Sequence, residues 1–142
     1  MKIFSLEEAN ELVPEIKESM ERVFELNEML KATANDTDDL LEIWGAEVYQ
    51  KNHVDNEYYL KLLKRHDELM KELRQEIRNT QKLGCLVKDI ERGLVDFYFD
   101  MDGELVFLCW KHGEERIRYW HPLNSGFSGR RPITDLFAVQ RR

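Results

Sequence analysis

The segment Leu94-Val-Asp-Phe-Tyr-Phe-Asp-Met-Asp-Gly-Glu-Leu-Val-Phe-Leu-Cys-Trp110 decides the fold of the C-terminal part of the chain. Branched and aromatic residues flank Asp102-Gly103, a pair that suits a two-residue hairpin turn in which both positions have positive φ. Pairing across this turn gives one apolar face. Its pairs are Val95 with Trp110, Phe97 with Leu108 and Phe99 with Val106. The same register places Asp96 opposite Cys109 on the other face of the sheet.

A second glycine-containing pair predicts a third strand. His112-Gly113 is compatible with another two-residue turn, so we expect an antiparallel meander. Its strands are Leu94–Phe99, Leu105–Trp110 and Arg116–Trp120. In this register Arg116 and Arg118 would join the face that carries Asp96. By the same alternation His121 would point toward the core, and Trp120 would leave it.

Residues 1–83 have the period of amphipathic helices. Ser5 and Glu8 have the spacing of a capping box, which predicts a helix start near Leu6. Pro14 lacks an amide hydrogen, so we expect a short first helix to about Leu12 and a longer second helix with Pro14 in its first turn. The apolar stripe of the second helix consists of Ile16, Met20, Val23 and Leu30.

The polar segment Asn35–Asp39 predicts a break, after which a shorter helix should begin. The apolar pattern of this middle helix is Leu40, Leu41, Trp44 and Val48. A further long helix should begin after Asp55 and stop at Gly84, because glycine is typical of a helix C-terminus. The sequence thus predicts two long antiparallel helices with one helical insert.

Together these patterns predict an α+β protein. We expect a long antiparallel helical hairpin with an extra middle helix, joined to a small antiparallel β-meander head. The helical part is residues 1–83, the head with its Gly/Arg tail is residues 84–142, and both should form one structural unit. One hairpin gives its apolar stripes too little cover, so we expect self-association through the helices as a two-fold dimer.

Charge limits the partners of the protein. The net charge of −7 lies in residues 1–83, since residues 84–142 hold nine acidic and nine basic side chains. The electropositive feature of the chain is a group of four arginines, Arg130, Arg131, Arg141 and Arg142, against the single acid Asp135. This group is smaller than the basic stripe of a nucleic-acid-binding protein. Apolar runs are much shorter than a membrane span. We therefore expect neither nucleic acid nor a membrane as a partner.

The cysteines indicate the compartment. Cys85 and Cys109 lack the repeated spacings of a disulfide framework or a zinc ribbon. No charged, apolar and small-residue leader pattern opens the sequence. These two observations predict a protein of the reducing cytoplasm.

Cys109, His121 and Asp96 are the residue types of a nucleophilic triad, because a thiolate needs a base and an orienting carboxylate. The predicted register opposes this hypothesis, since it turns His121 away from the other two. Cys109 and His112, together with His121 or Asp96, could instead bind a metal, but two further ligands of a zinc motif are missing. We therefore expect a buried and inert Cys109, no metal and no other cofactor.

The segment Ser125–Pro132 is the strongest candidate for a ligand-binding loop. Gly126 and Gly129 would let backbone amides approach an anion, and the guanidinium of Arg130 suits phosphate or carboxylate. A folded connection is the simpler interpretation, because no strand and helix of a nucleotide-binding unit surround the segment. The full set of candidate ligand-binding residues is Asp96, Arg116, Trp120, His121, Gly126, Gly129 and Arg130.

Two further patterns bear on binding by the head. The acid–guanidinium pairs Asp96 with Arg116, or Asp89 with Arg92, would either order the head or bind a polar ligand, and structural pairing is the commoner outcome. The aromatic residues Tyr119–His121 lie near arginines, a composition typical of protein interfaces.

The quoted motifs resemble domain-of-unknown-function family 2203, and the resemblance extends over nearly the whole chain. The matching segments are Phe4–Asn10, Val13-Pro14, Val87–Asp89, Gly93–Phe97, Asp102-Gly103, Leu108–Trp110, Gly113-Glu114, Tyr119–His121 and Gly126–Arg130 through Pro132. The chain departs from the family pattern at Val13, where leucine is more common, and around Trp44–His53. The resemblance implies no activity, because none is established for the family. A division-initiation-like label on some members rests on coiled-coil similarity.

For function we expect an interaction or adaptor protein, in which the helices set the oligomer and the head presents a recognition surface to a protein partner. The alternative is a head that binds a small ligand, either as an anion or phosphate site or as an enzyme active site. This alternative uses Asp96, Arg116, His121 and Arg130. The sequence leaves open whether the protein is an enzyme.

Overall fold

The computed structural model describes residues 1–134 of the 142-residue chain. Within this range the helices are α1 (Leu6–Trp44) and α2 (Asn56–Gln81), with short 3₁₀ turns at Gly45–Tyr49 and Phe127–Gly129. The strands are β1 (Leu86–Asp89), β2 (Leu94–Met101), β3 (Glu104–Lys111), β4 (Tyr119–Pro122) and β5 (Arg131–Pro132). The protein is therefore α+β. Asp135, Arg141 and Arg142, which bear on the predicted arginine group, lie outside the described residues.

The chain divides into two compact units. The first, which we call the sheet unit, consists of Met1–Glu21 and the chain from Ile77 onward. The second, which we call the helical unit, is Arg22–Glu76. Each long helix contributes residues to both units. The division at residues 83 and 84 stays a prediction from the sequence.

Helix α1 begins as predicted but continues through Pro14, so the predicted short first helix is wrong. The amide of Ser5 donates to Glu8 Oε1 at 3.0 Å, and the amide of Glu8 donates to Ser5 Oγ at 3.1 Å. An interior proline costs a helix about 3 kcal/mol, because it removes a hydrogen bond and crowds the preceding turn. Burial of one apolar stripe on both sides of Pro14 offsets this cost. The stripe is Ala9, Val13, Ile16, Met20 and Val23.

Helix α1 also continues through Asn35–Asp39, where the sequence predicts a break. The hydroxyls of Thr33 and Thr37 donate to the carbonyl oxygens four residues earlier, at 2.9 and 3.0 Å. These bonds satisfy polar side chains without ending the helix. Thr33 is buried together with Leu30 and Leu40, so a threonine takes a core position in the stripe.

The predicted middle helix is not a separate element. Its first residues, up to Trp44, form the last turn of α1, and the 3₁₀ turn Gly45–Tyr49 contains the rest. Gly45 has a φ of 63°, a left-handed conformation that ends an α-helix readily only at glycine. Val48 in the turn is fully buried, which explains its apolar character.

Side-chain contacts join the two helices within each unit. In the sheet unit the hydroxyls of Ser19 and Thr80 share a buried hydrogen bond. In the helical unit Arg22 and Glu76 form an ion pair with an Nη2–Oε1 distance of 2.8 Å. The buried stripe of α2 consists of Leu62, Leu69 and Leu73.

The sheet has five antiparallel strands in the order β1-β2-β3-β4-β5. The pairing of β2 with β3 confirms the predicted register, including Asp96 opposite Cys109. Asp102 and Gly103 have φ values of 50° and 91°, as their turn requires. The sequence does not predict β1 and β5, because strands of four and two residues are too short to show an alternating pattern.

The position of β4 corrects the predicted third strand. A two-residue turn at His112-Gly113 would pair Cys109 with Arg116, whereas Cys109 pairs with Tyr119. This shift of three residues is odd, so it exchanges the faces of all the side chains in the strand. His121 therefore lies on the face of Asp96 and Cys109. Trp120 lies opposite Leu108 in the core, and its predicted departure from the core is also wrong.

The longer connection between β3 and β4 has identifiable causes. A two-residue turn needs positive φ at both positions, and of its two residues Gly113 alone meets this requirement. The carboxylate of Glu114 accepts the amide of Lys111 at 2.6 Å. Further along, Asn10 Oδ1 of α1 accepts the amide of Ile117 at 2.7 Å. These bonds stabilise an extended loop in place of a tight turn.

The two faces of the sheet differ in chemistry. The inner face forms the core and carries Val95, Phe97, Phe99, Val106, Leu108, Trp110 and Trp120. Phe97 packs edge-on against Phe4, with ring centroids 5.2 Å apart. The opposite face, which we call the site face, carries Asp96, Tyr98, Phe107, Cys109, Tyr119 and His121.

Among residues 1–134, neither long helix has a stretch apolar enough to span a lipid bilayer.

Candidate functional site

Three side chains with reactive groups meet on the site face: Asp96 of β2, Cys109 of β3 and His121 of β4. Asp96 pairs with Cys109, and His121 pairs with Phe107, two residues before Cys109 in β3. A carboxylate oxygen, the thiol sulfur and an imidazole nitrogen all lie within 4.8 Å of one another. Asp96 and His121 are each 3% exposed and Cys109 is 1% exposed. We call these three residues the Asp–Cys–His cluster.

Both ring nitrogens of His121 face a hydrogen-bond acceptor. Nε2 lies 3.0 Å from Asp96 Oδ2, and Nδ1 lies 2.9 Å from the carbonyl oxygen of Pro122. Burial alone would lower the pKa of His121, but the hydrogen bonds to Asp96 and Pro122 and the charge of Asp96 outweigh burial and raise it. A protonated ring can donate to both acceptors, so this geometry favours a buried imidazolium–carboxylate pair.

The second carboxylate oxygen of Asp96 has no hydrogen-bond partner. Oδ1 is buried and accepts no hydrogen bond of ordinary geometry from residues 1–134, although the Cys109 thiol interacts with the same carboxylate. A buried polar atom that loses its water without gaining a partner is destabilising, and this effect is larger for a charged group. A group that is not part of the polypeptide could supply the missing interaction.

Cys109 is a protonated thiol in this environment. Burial, together with the charge of Asp96, raises the pKa of the thiol to about 12, although Arg130 opposes the shift. A nucleophilic cysteine would need a free base, whereas His121 uses both nitrogens for Asp96 and Pro122. The structure brings the residues of the hypothetical triad together but favours an inert thiol over a nucleophile.

The connection after β4 covers the cluster. The amide of Ser125 donates to the carbonyl of Pro122 at 3.2 Å, which turns the chain back across the site face. The covered space is a cavity of about 100 Å³. Besides the cluster, its lining residues are Lys88, Leu94, Phe107, Leu123, Ser125, Gly126 and Phe127. This volume can hold an ion with a few water molecules or a very small ligand.

Basic side chains contact two aromatic rings that line the cavity, Phe127 and Phe107. Lys111 Nζ, Arg130 Cζ and Arg92 Cζ lie 5.3, 5.1 and 5.8 Å from the ring centroid of Phe127. Lys88 Nζ lies 4.7 Å from the ring centroid of Phe107. Arg130 is paired with Glu114 and Arg92 with Asp89, so the local positive potential that favours a negatively charged group comes mainly from Lys88 and Lys111.

Arg130 is mostly engaged in bonds within the protein. Its Nη2 donates to Glu114 Oε1 at 2.6 Å and to the carbonyl of Cys109 at 3.2 Å, and its guanidinium stacks 4.1 Å above the ring of Tyr119. The amides of Gly129 and Arg130 donate to carbonyls of the same loop. A Cβ at Gly129 would overlap the Ser125 side chain. These contacts favour a folded connection over an anion-binding loop.

Several other predicted site residues lie away from the cluster. Arg116 is exposed in the β3–β4 loop and lines a separate cavity of about 380 Å³ with Asn10 and Ile117. Trp120 belongs to the inner face and is 6% exposed, so it offers little surface to a partner. The predicted pairing of Asp96 with Arg116 is replaced by the pair with His121, while Asp89 pairs with Arg92 at 4.0 Å.

His112 lies on the opposite face of the sheet from Cys109. It alternates with Lys111, and its Nε2 is 3.5 Å from Glu21 Oε1. Of the metal ligands considered from the sequence, Cys109, His121 and Asp96 therefore lie together, and His112 does not join them.

The sequence-based candidates lack four residues that complete the cavity: Lys88, Leu94, Phe107 and Leu123. Phe107 alternates with Cys109 in the correctly predicted hairpin, so that register already held the necessary signal. Lys88 and Leu123 could be placed only with β1 and the end of β4, for which the sequence has no hairpin signal.

The fold and site together define a class of protein: an α+β protein whose antiparallel sheet buries an Asp–Cys–His cluster beneath the connection that follows its fourth strand. The chain belongs to the family described as uncharacterized conserved protein (DUF2203), whose sequence profile matches residues 2–133. This match confirms the resemblance inferred from the motifs. No curated protein and no solved structure matches the chain.

We predict that the metal-free protein is less stable at about pH 8 than at about pH 6 because of His121. The native state holds the His121 proton more tightly than the unfolded chain does. The resulting stabilisation is complete below the unfolded pKa of 6.5 and is lost as the pH rises through the raised native pKa. Urea unfolding at both pH values, with a chelator present, measures this difference.

The variant Asp96→Asn should reduce this pH dependence, because its amide has no charge to hold the imidazolium. Asp100→Asn is the matched control in the same strand, since Asp100 Oδ1 accepts the amide of Gly103 at 2.7 Å and an asparagine oxygen can do the same. The same pH dependence in wild type and Asp96→Asn would contradict the assigned pair.

Proposed function

We propose that the protein binds a small ligand in the cavity beside the Asp–Cys–His cluster. The observation that carries this proposal is the unpartnered Oδ1 of the buried Asp96 in the wall of that cavity. Purely structural ion pairs normally satisfy their buried oxygens. A bound ligand would provide the interaction that residues 1–134 do not provide.

The ligand must present a hydrogen-bond donor or a cation to Asp96 Oδ1, and the basic side chains near Phe107 and Phe127 favour an anionic group elsewhere on the same ligand. Lys88 and Lys111 would attract a carboxylate or phosphate group, and the small volume favours a compact one. This proposal keeps Asp96 and His121 of the ligand-binding alternative raised from the sequence, but replaces Arg116 and Arg130 with other basic residues. Whether binding leads to a reaction stays open, because the thiol of Cys109 is not activated.

Self-association through the helical unit is a second proposed function. Large apolar side chains that are more than one-third exposed are concentrated between residues 43 and 63. They are Ile43, Trp44, Tyr49, Val54, Tyr58, Leu60 and Leu63. This concentration of exposed apolar side chains favours an interface, and a second copy of the chain would cover part of it in a closed two-fold contact. In this proposal α1 and α2 form the antiparallel hairpin, with coiled-coil packing in the dimer.

An adaptor role for the sheet unit remains a proposal with less support. Asp96, Trp120 and His121 were candidates for its recognition surface, but each is at most 6% exposed. A protein partner would therefore need to bind other residues, such as the basic side chains around Phe127. Nucleic acid stays an unfavoured partner because of the acidic residues 1–83.

We also propose that the protein works in the cytoplasm. Cys85 and Cys109 are both free and buried, as expected for a protein that needs no disulfide. A reducing compartment would also keep the thiol of the cluster intact.

Native mass spectrometry of the gently purified chain, compared with the denatured chain, tests the ligand proposal. We expect an added mass on the native protein that disappears on denaturation. Asp96→Asn should lose most of this added mass, because the amide removes the charge that faces the cavity. Arg116→Met should retain it, since Arg116 lies away from the cluster. A native mass equal to the sequence mass in repeated preparations would refute the proposal.

Sedimentation velocity of Leu60→Glu tests the dimer. We expect the wild type to sediment as a dimer and Leu60→Glu as a monomer with unchanged helix content by circular dichroism, because a buried carboxylate opposes the contact. Ala32→Glu is the control, since it adds the same charge at an exposed position of α1 outside residues 43–63. A monomeric wild type, or dissociation by both variants alike, would overturn this proposal.

A further inference from the structure

We propose that the Asp–Cys–His cluster is a binding site for a divalent transition metal of the zinc class, with one coordination position open to the cavity. The ligands are a carboxylate oxygen of Asp96, the sulfur of Cys109 and Nε2 of His121. This inference rests on the proposed ligand site and specifies what occupies its base. It differs from the expectation of no metal, which rested on the absence of two further ligands and of a zinc-binding motif in the sequence.

The donor atoms match the chemistry of zinc. Sulfur, imidazole nitrogen and carboxylate oxygen are its three common protein ligands, whereas calcium and magnesium prefer oxygen alone. In a tetrahedral site with the usual bond lengths, neighbouring ligand atoms are about 3.3–3.8 Å apart. The three donor atoms of the cluster already lie within 4.8 Å of one another. Side-chain movements of about 1 Å or less would therefore complete the coordination.

His121 is already oriented as a metal ligand. Its Nδ1 lies 2.9 Å from the carbonyl oxygen of Pro122, so an Nδ1–H bond would fix the ring with Nε2 directed at Asp96 and within 4.8 Å of the Cys109 sulfur. A backbone carbonyl that holds the distal nitrogen of a histidine is the usual support for a metal-bound imidazole. Metal binding would replace the Nε2 proton and leave the bond to Pro122 unchanged.

The charges of the cluster also fit a divalent cation. A carboxylate and a thiolate together carry two negative charges, and the neutral imidazole adds none. Without a cation, burial keeps the thiol of Cys109 protonated. A metal would displace that proton and would give the unpartnered oxygen of Asp96 a positive partner.

The basic residues near the cavity favour a negatively charged ligand at the open coordination position of the metal. Lys88 and Arg130 oppose a bound cation, and this repulsion is reduced if an anion completes the metal coordination. The cavity of about 100 Å³ lies beside the cluster and leaves room for such a ligand. A three-ligand zinc site with an accessible fourth position can bind water, a carboxylate or a phosphate oxygen.

The test is titration of the chelator-treated full chain with Co²⁺, followed by Zn²⁺. We expect one Co²⁺ per chain, visible absorption bands of a four-coordinate ion, and a near-ultraviolet charge-transfer band from a single thiolate. An equimolar addition of Zn²⁺ should remove these bands. Asp96→Asn should weaken Co²⁺ binding by more than about 100-fold, since loss of a direct ligand exceeds the effect of losing its supporting residue.

The two cysteines provide a matched control. Cys85 is also buried, with its thiol donating to the carbonyl of Thr80 at 3.3 Å, a bond that a serine hydroxyl can reproduce. Cys85→Ser should therefore retain the thiolate band, and Cys109→Ser should lose it. Because the chain has only these two cysteines, a band that survives in Cys85→Ser identifies Cys109 even if Cys109→Ser does not fold.

The outcomes separate this inference from the proposed function. A wild-type protein that binds neither Co²⁺ nor Zn²⁺, or a thiolate band that Cys85→Ser abolishes, would overturn the metal site. Under that result an organic mass retained in native mass spectrometry would still support the ligand cavity. Loss of the band in His112→Gln would also contradict the proposal, because His112 lies on the other face.

Discussion

The register of β4 against β3 is the constraint on which the site depends. Cys109 pairs with Tyr119 because the connection between the strands is three residues longer than a tight turn would allow. Glu114 and Asn10 stabilise this longer connection through the amides of Lys111 and Ile117. The odd shift turns His121 onto the site face. With a tight turn His121 would enter the apolar core, and Asp96 and Cys109 would have no third partner.

Much of the fold could be predicted from local patterns. The β2–β3 register follows from Asp102-Gly103 because the turn chemistry and the apolar alternation select the same pairing. The continuity of α1 could not be predicted, since Pro14 and Asn35–Asp39 oppose a helix locally. Burial of the stripe on both sides overrides that local preference, and such burial depends on the folded protein.

The candidate site was predictable only in part. Asp96 and Cys109 could be paired from the hairpin alone. The placement of His121 depends on two further hydrogen bonds, one to the distant residue Asn10 and one to Glu114 within the β3–β4 loop, and neither has a sequence signal. For Arg130 the sequence predicts a contact with a ligand, whereas in the structure its guanidinium has partners within the protein. Its position near glycines is typical of an anion site, yet Glu114 neutralises it and Tyr119 stacks on it. Composition identifies such residues, whereas their pairing decides whether they remain available to a ligand.

Two charge patterns meet at the cavity. An unpartnered carboxylate oxygen of Asp96 lies in the cavity wall, and basic side chains lie near Phe127 of the same wall. A divalent cation between them would satisfy the carboxylate and attract an anion. Zinc K-edge X-ray absorption of the zinc-loaded full chain tests this claim directly. We predict one sulfur at about 2.3 Å with nitrogen or oxygen ligands at about 2.0 Å completing the shell. A shell without sulfur, or no retained zinc, would contradict it.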